Sequence, residues 1–257
     1  MTRHPRLRRD GAVGALGLAL VLAGCAAHVP PPAAPSVALG DEAARALVER
    51  WAAEWQTFTG LRAAVDLTVK APKRDDRASA LLLVSPSALR LEITTPLGFP
   101  ALVATAGPDR IVVFRPFERR AMAGAPTPEA VQHWLGVPVD PAALVGLLVG
   151  YVPAPDPGTL QTEGGADPHL VYAHRGVRHR VWVTAAGFPA RLLVDKQPGF
   201  TATYDWTVDG HVQRLQVDVP DREVHLTLRY VSVEAASPPP EAFVLTLPPD
   251  IKTDRLD

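Results

Sequence analysis

The chain has 257 residues, of which 47% are hydrophobic and 21% charged, and its formal net charge is −1. This composition excludes a disordered chain, and the balanced charge lacks the basic surplus of a nucleic-acid-binding protein. A single cysteine forms neither an intramolecular disulfide nor a cysteine-rich zinc site.

Residues 1–24 have the pattern of a secretory signal peptide. Four arginines lie between positions 3 and 9, and a short apolar run follows from residue 11 to residue 22. That run is too short to cross a bilayer comfortably. It ends in Leu22-Ala23-Gly24-Cys25, which resembles the lipobox of bacterial lipoproteins. The resemblance implies that Cys25 is the lipid attachment site, carrying diacylglyceryl and a further acyl chain such as palmitate. An ordinary signal peptide with a chance cysteine is the alternative.

Residues 25–40 are predicted to be the acylated cysteine and a Pro-rich tether, because three consecutive prolines at 30–32 favour extended chain. Loss of residues 1–24 removes four arginines and one aspartate, so the net charge of −1 becomes −4. An acidic body disfavours adhesion to anionic lipid, and we expect the acyl chains to provide the membrane anchor. Ala26 follows the cysteine. By resemblance to the enterobacterial sorting rule, which retains lipoproteins with aspartate there in the inner membrane, Ala26 permits outer-membrane localisation.

Residues 41–257 are predicted to form one domain that is mainly β with a few helices. Alternation of apolar and polar residues predicts eleven or twelve strands joined by short connections, which indicates one large antiparallel sheet. The charged run 73–76 is predicted to be a turn. The predicted strands are 61–70, 80–84, 89–94, 101–105, 111–114, 119–123, 170–174, 179–184, 190–195, 200–206, 212–219 and 223–233.

Three helices are available to cover the sheet. The first is predicted over 41–58, with Asp41 as its N-cap and an apolar face that contains two tryptophans. Helices over 128–135 and 141–149 each begin with an N-cap residue followed by proline and end at glycine. A curved sheet covered by these helices could enclose a cavity.

The sequence lacks the motifs of common enzymes. It contains no HExxH, no GxSxG, no P-loop and no dinucleotide-binding glycine pattern, and the single cysteine is assigned to the lipid. The eight histidines are scattered, and the spacing of His169, His174 and His179 does not predict a metal site on strands. Basic residues and histidines from 174 to 180 surround a predicted hairpin turn, which is either a solvated turn or a contact for an anion or partner. We therefore expect no enzyme activity, no metal and no cofactor.

Three short strings and their order carry a resemblance to a known family. The strings are LRLEITTPLG at 89–98, WLGVPV at 134–139 and FTGLRAA at 58–64, within the order helix, strands, loop, strands, two short helices and strands. This pattern resembles the LolB family of outer-membrane lipoprotein receptors over most of residues 41–235. The resemblance implies an incomplete antiparallel β-barrel of about eleven strands, covered by a helical lid that encloses an apolar cavity.

The resemblance also implies a function and a set of residues. Members of the family receive acylated lipoproteins from a periplasmic LolA-like carrier and insert them into the outer membrane. The family's exposed loop leucine corresponds to Leu97, and Phe99 would extend the same apolar tip; without the resemblance, inward packing of both residues is favoured over projection into lipid. We expect a monomer with no nucleic-acid partner, anchored by lipid to the periplasmic face of the outer membrane. The predicted acyl-chain cavity is lined by Val65, Leu67, Leu91, Ile93, Trp134, Leu148, Val181 and Leu228.

A structural or assembly lipoprotein of the cell envelope is the alternative function. Such a protein would have a solid core and would bind a protein partner through a sheet edge or the turn between Arg175 and Arg180. An unfilled apolar cavity favours the receptor, and native packing density under the helices favours the assembly protein.

Overall fold

The computed structural model describes residues 36–95 and 97–256. The predicted signal peptide, Cys25, most of the tether and Pro96 lie outside the described residues, so the assignments made for them stay predictions. The last part of the predicted tether, residues 36–40, lies against the folded body. The Val37 N–H donates to the Val183 carbonyl oxygen at 3.0 Å, and Leu39 packs against the core.

Helix α1 spans Asp41–Thr57 and turns Ala44, Leu47 and Trp51 towards the core. The prediction of Asp41 as the N-cap is wrong, because Gly40 holds the extended N-cap conformation and Asp41 is already helical. Asp41 still stabilises the helix start, since its negative charge lies in the first turn, near the positive end of the helix dipole.

The described residues form one sheet of fourteen strands, in the order β14-β6-β5-β4-β3-β2-β1-β13-β12-β11-β10-β9-β8-β7. All neighbours are antiparallel except β14, which runs parallel to β6. The large sheet is curved and unclosed, so the predicted class, a mainly β incomplete barrel with helices, is confirmed. The strands are β1 Leu61–Ala71, β2 Arg74–Ser85, β3 Ala88–Thr94, β4 Pro100–Ala106, β5 Ile111–Arg115, β6 Arg120–Gly124, β7 Gln161–Glu163, β8 His169–His174, β9 Val177–Val183, β10 Pro189–Asp195, β11 Phe200–Trp206, β12 Val212–Val219, β13 Val224–Ala235 and β14 Lys252–Arg255.

The predicted charged turn at 73–76 is wrong. Ala71 pairs with Arg74, so the turn consists of Pro72 and Lys73 and the acidic residues that follow are already in β2. The pairing of Lys70 with Asp75 explains the difference, because opposite charges on facing residues favour a longer hairpin. Strands β7 and β14 are also additional to the predicted set, and both are short and polar.

Helices α2 (Pro128–Leu135) and α3 (Pro141–Val149) confirm the predicted start and stop signals. The Thr127 hydroxyl accepts the Ala130 N–H at 3.2 Å, and an Asp140 carboxylate oxygen accepts the Ala143 N–H at 2.8 Å. Both helices end in a glycine with left-handed backbone, which an L-residue adopts only with strain. Short 3₁₀ turns lie at Pro220–Arg222 and Pro240–Phe243.

The antiparallel register divides the connections between two ends of the sheet. Connections 95–99, 116–119, 175–176 and 196–199 all lie at one end, termed here the loop-97 end. Connections such as 107–110, 184–188 and 207–211 lie at the opposite end. The two ends differ in their exposed residues, as described below.

Candidate functional site

Helix α3 lies within the apolar interior formed by the sheet and the helices. Its sequence PAALVGLLV is apolar on every side, which is typical of a buried helix. Leu144, Val145, Gly146, Leu147 and Leu148 are all buried. The helix therefore fills part of the interior that the sequence leaves open as a cavity.

Two tyrosines of the sheet attach α3 to the strands. The Tyr204 hydroxyl of β11 donates to the Leu147 carbonyl oxygen at 3.2 Å, and the Tyr230 hydroxyl of β13 donates to the Leu148 carbonyl oxygen. These carbonyls belong to the last turn of α3, where helix carbonyls lack their usual partner four residues on, and the Gly150 N–H is a second, longer donor to Leu147 at 3.4 Å. Burial raises the pKa of both tyrosines far above their ordinary value, so both hydroxyls remain protonated donors at neutral pH.

The first cavity, cavity A, lies between the C-terminal ends of α1 and α3 and the adjoining strands, and its volume is about 370 Å³. Aromatic rings form much of its wall, and Phe188 and Trp206 stack there with ring centroids 4.8 Å apart. Its rim lies at the opposite end of the sheet from loop 97. The aromatic and large apolar residues of its wall include Trp51, Trp55, Phe58, Leu148, Tyr151, Phe188, Trp206, Val212 and Tyr230.

The second cavity, cavity B, borders the other side of α3, and its volume is about 380 Å³. Its apolar wall comes from α3 and from strands β9, β10 and β11, and its charged rim residues Arg175 and Lys196 lie at the loop-97 end. The apolar residues of the wall include Val139, Leu147, Val177, Leu192, Val194 and Phe200. The volumes of cavities A and B lie within the range of about 300–1,000 Å³ that is typical of ligand sites.

An aromatic pair belongs to both cavities. The rings of Trp55 in α1 and Tyr151 after α3 stack with centroids 4.3 Å apart, and both residues border cavity A and cavity B. The Phe58 ring also stacks with the Trp55 ring, with centroids 5.2 Å apart. The two cavities are thus neighbours that share one aromatic wall. A third cavity, of about 570 Å³, lies apart from these helices, under residues 238–245.

The eight predicted cavity residues lie in or against the buried core. Seven are buried and Ile93 is partly buried, so the alternation identified the core-facing side of the strands. Leu148 also lines cavity A. The aromatic residues that border both cavities are missing from the predicted set, although the helical spacing of Trp55 signals an inward face. The role of the eight predicted residues as an acyl-chain site stays a prediction.

Loop 97 projects from the sheet. Leu97 is 83% exposed and Phe99 is 59% exposed, so both differ from the inward packing that residues of their size usually adopt. The loop is nevertheless closed by Thr95, whose N–H donates to the Phe99 carbonyl oxygen and whose carbonyl oxygen accepts the Gly98 N–H, both at 2.8 Å. A defined turn therefore holds two large apolar side chains in solvent.

Phe117 is a residue that the sequence reasoning missed. It lies in the connection between β5 and β6, is 67% exposed, and shares the loop-97 end with Leu97 and Phe99. A phenylalanine after Pro116 in a charged turn is a sequence signal that could have identified it. The exposed apolar residues at this end thus come from two neighbouring hairpins.

The basic turn between β8 and β9 is ordered by one carboxylate. Asp156 accepts the backbone N–H groups of Arg175 at 3.0 Å and Gly176 at 3.1 Å, and the bond from Gly176 is the main cause of its lowered pKa. The hairpin brings His174 and His179 together edge to face, with ring centroids 5.9 Å apart, which the spacing alone did not indicate. Burial lowers the pKa of His179 and favours its neutral form.

Residues 36–95 and 97–256 contain no group of three or more histidine, cysteine or acidic side chains placed to hold a metal ion. Within that same part of the chain, every helix is too short or too polar to span a bilayer.

Comparison with known proteins establishes the fold class. No protein-family model matches the sequence, and no curated protein matches it significantly. Among solved structures, a LolA superfamily protein from Nitrosomonas europaea is similar with a TM-score of 0.51 at 16% identity, over 79% of this chain and 97% of that chain. A DUF1329 family protein from Desulfovibrio piger has a TM-score of 0.50 at 8% identity, over 79% and 95% of the two chains. The chain therefore has a LolA-like fold, an incomplete barrel with helices on its apolar side.

Proposed function

We propose that this protein is an envelope lipoprotein that binds the acyl chains of other lipoproteins and inserts those lipoproteins into the outer membrane. The observation that carries the proposal is the pair of cavities, A and B, on the two sides of α3. The similarity of the fold to a protein of the LolA superfamily supports it. Cys25 would anchor the protein to the membrane, and a periplasmic LolA-like carrier would deliver the cargo to a monomeric receptor.

The binding step needs no covalent chemistry. Each methylene that leaves water for an apolar wall contributes about 0.8 kcal/mol, so a chain of moderate length is held firmly by burial alone. Two modest cavities separated by a helix hold less of a long chain than one open barrel. Partial burial suits a receptor, because a cargo that is completely enclosed would not be released to the bilayer.

The loop-97 end supplies the proposed membrane contact. Leu97, Phe99 and Phe117 are exposed, and apolar side chains at a water–lipid boundary gain free energy by entering the acyl region. Cavity B has its rim at this same end, so a chain leaving it would have a short path to the bilayer.

A transfer assay tests the proposal. The protein with Cys25→Ala, which is not acylated, is given a carrier-bound lipoprotein, and uptake and delivery to liposomes are measured separately. We expect uptake to persist in Leu97→Glu while delivery to liposomes falls, because the charged tip does not enter lipid. Val208→Glu is the matched control, since Val208 is fully exposed at the opposite end of the sheet. Absence of uptake by the folded protein overturns the receptor function, and equal delivery by both variants removes loop 97 from the mechanism.

An assembly lipoprotein is the second candidate function. The observation that favours it is the burial of α3, which occupies the interior and is attached to the sheet through Tyr204 and Tyr230. The ordered basic turn at Arg175 would then be the partner contact. A folded protein that takes up no acylated cargo, and that loses a cellular phenotype on Arg175→Glu, supports this candidate over the receptor.

A further inference from the structure

The rim of cavity B differs from that of cavity A in its charge. Arg175 and Lys196 lie at the rim of cavity B, together with His174, His179 and a single carboxylate, that of Asp140. The two cations come from neighbouring connections at the loop-97 end, one between β8 and β9 and the other between β10 and β11. An apolar cavity with a cationic rim has the two features that an amphiphile with an anionic head needs.

The acidic groups near this rim are already engaged. One oxygen of Asp140 accepts the Ala143 N–H as the N-cap of α3, and the other lies 4.0 Å from the Arg175 guanidinium, at the limit of an ion pair. Asp156 is bound to the backbone of the turn, as described above. Asp195 pairs with Arg180 at 2.8 Å.

Lys196 has no such partner. Among the residues that the structure describes, no carboxylate lies within ion-pair distance of its ammonium group. Arg175 is also largely free to interact, because its side chain is 75% exposed and its contact with Asp140 is long. Among the residues that line cavity B, these two cations face one carboxylate, that of Asp140, so the lining carries one positive charge more than negative, although the chain as a whole is acidic.

The wall below the rim is apolar. Leu192, Val194 and Phe200 from the sheet and Leu147 from α3 line it. An alkyl chain that lies along this wall would leave its head group at the level of Lys196 and Arg175. The His179 imidazole nearby is held by its Nδ1, which lies 2.9 Å from the Val177 carbonyl oxygen.

We propose that cavity B binds an amphiphile with an anionic head group, the alkyl chain lying on the apolar wall and the head between Arg175 and Lys196. The proposal rests on the proposed function, because the tail uses the same apolar burial, and adds selectivity for an anionic carboxylate or phosphate head. A head of that charge would be attracted by the two cations, whereas a cationic head would be repelled.

Calorimetric titration with matched twelve-carbon probes tests the proposal. Laurate, dodecyl phosphate, dodecanol and dodecyltrimethylammonium share a chain and differ in the head, and each is used below its micelle concentration with the Cys25→Ala protein. We expect both anionic probes to bind about five- to tenfold more tightly than dodecanol, the range for charge-assisted contacts at a partly exposed site. The cationic probe should bind most weakly. The stronger of the two anionic probes identifies the head, fatty carboxylate or lipid phosphate.

Two charge reversals separate this site from a general charge effect. Lys196→Glu should weaken laurate binding about five- to tenfold and leave dodecanol binding unchanged. Lys73→Glu changes the net charge equally in the exposed turn between β1 and β2 and should affect neither probe. Both lysines are exposed, so neither variant should impair folding.

The outcomes distinguish this proposal from the proposed function. If no twelve-carbon probe binds, the proposed acyl-chain binding fails and this proposal fails with it. If laurate and dodecanol bind equally, or Lys196→Glu changes nothing, the apolar cavity stands and head-group selectivity is refuted. If acetate and inorganic phosphate bind as tightly as the long-chain probes, the rim is a free-anion site and the amphiphile proposal is overturned.

Discussion

Replacing Tyr204 by phenylalanine should lower the stability of the fold by a predictable amount. Tyr204 is 1% exposed, and its hydroxyl donates at 3.2 Å to the Leu147 carbonyl oxygen in the last turn of α3, which also accepts the Gly150 N–H at 3.4 Å. The substitution keeps the ring and removes this hydrogen bond, leaving the carbonyl with only the longer bond from the Gly150 N–H. The expected loss is about 1 kcal/mol of the free energy of unfolding, the net contribution of one hydrogen bond.

The matched control is Tyr172→Phe. Tyr172 is 2% exposed, but its hydroxyl has no hydrogen-bond partner among the described residues. Removing that hydroxyl relieves an unsatisfied buried group, so this variant should be as stable as the parent or more stable. The two substitutions are chemically identical, and only the hydrogen bond distinguishes them.

Urea denaturation followed by circular dichroism measures the difference. With a dependence on urea of about 2 kcal/mol per molar, a loss of about 1 kcal/mol shifts the midpoint of Tyr204→Phe by about 0.5 M. The midpoint of Tyr172→Phe should stay or rise. Equal losses in both variants would refute the reasoning, since the effect would then come from ring packing and not from the attachment of α3.

The remaining predictions concern the glycine and cap of α3 and the effect of alkali. Gly150→Ala should lower the free energy of unfolding by more than about 2 kcal/mol, because φ is +75° and the new Cβ would lie 2.3 Å from Cη2 of Trp206. Gly158 has the same φ but open space around it, so Gly158→Ala should lower that free energy by only about 1 kcal/mol, and thermal unfolding compares the two variants. Asp140→Ala should lower stability by about 1 kcal/mol through loss of the α3 N-cap, whereas Asp140→Asn should retain most of it. Burial raises the pKa of Tyr172, Tyr204 and Tyr230, so on raising the pH the unfolded chain loses these protons before the folded chain does. The free energy of unfolding should therefore fall above about pH 10, by up to about 1.4 kcal/mol per pH unit for each tyrosine. The loss of stability per pH unit should be smaller in variants that replace one of these tyrosines by phenylalanine. An unchanged loss would contradict the raised pKa of that tyrosine.

The sequence predicted those parts of the fold that local chemistry determines. Helices α2 and α3 begin and end where Thr127, Asp140 and the two terminal glycines indicate, because cap and proline signals act within a few residues. Eleven or twelve strands were predictable from alternation. Strands β7 and β14 were not, because short polar segments become strands only through the neighbour they pair with.

The candidate site was predictable only in part. Alternation placed Val65, Leu91 and Val181 on the buried face, but periodicity does not tell a side chain that fills the core from one that borders a void. The cavities depend on how α3 lies against the sheet and on the stack of Trp55 with Tyr151, which is a contact between distant segments. The cationic rim likewise joins residues 175 and 196, whose proximity follows from strand order.

The parallel pairing of β14 with β6 has a consequence for biogenesis. Residues 252–256 cover the edge of a strand that ends at residue 124, and Leu256 is buried there, with its N–H donating to the Ala123 carbonyl oxygen at 3.0 Å. During synthesis the segment up to β6 therefore emerges with an open edge, long before its cover does. During that interval the open edge of β6 is most exposed to pairing with strands of other chains. A bulky tag fused after residue 257 would hinder β14 from covering this edge.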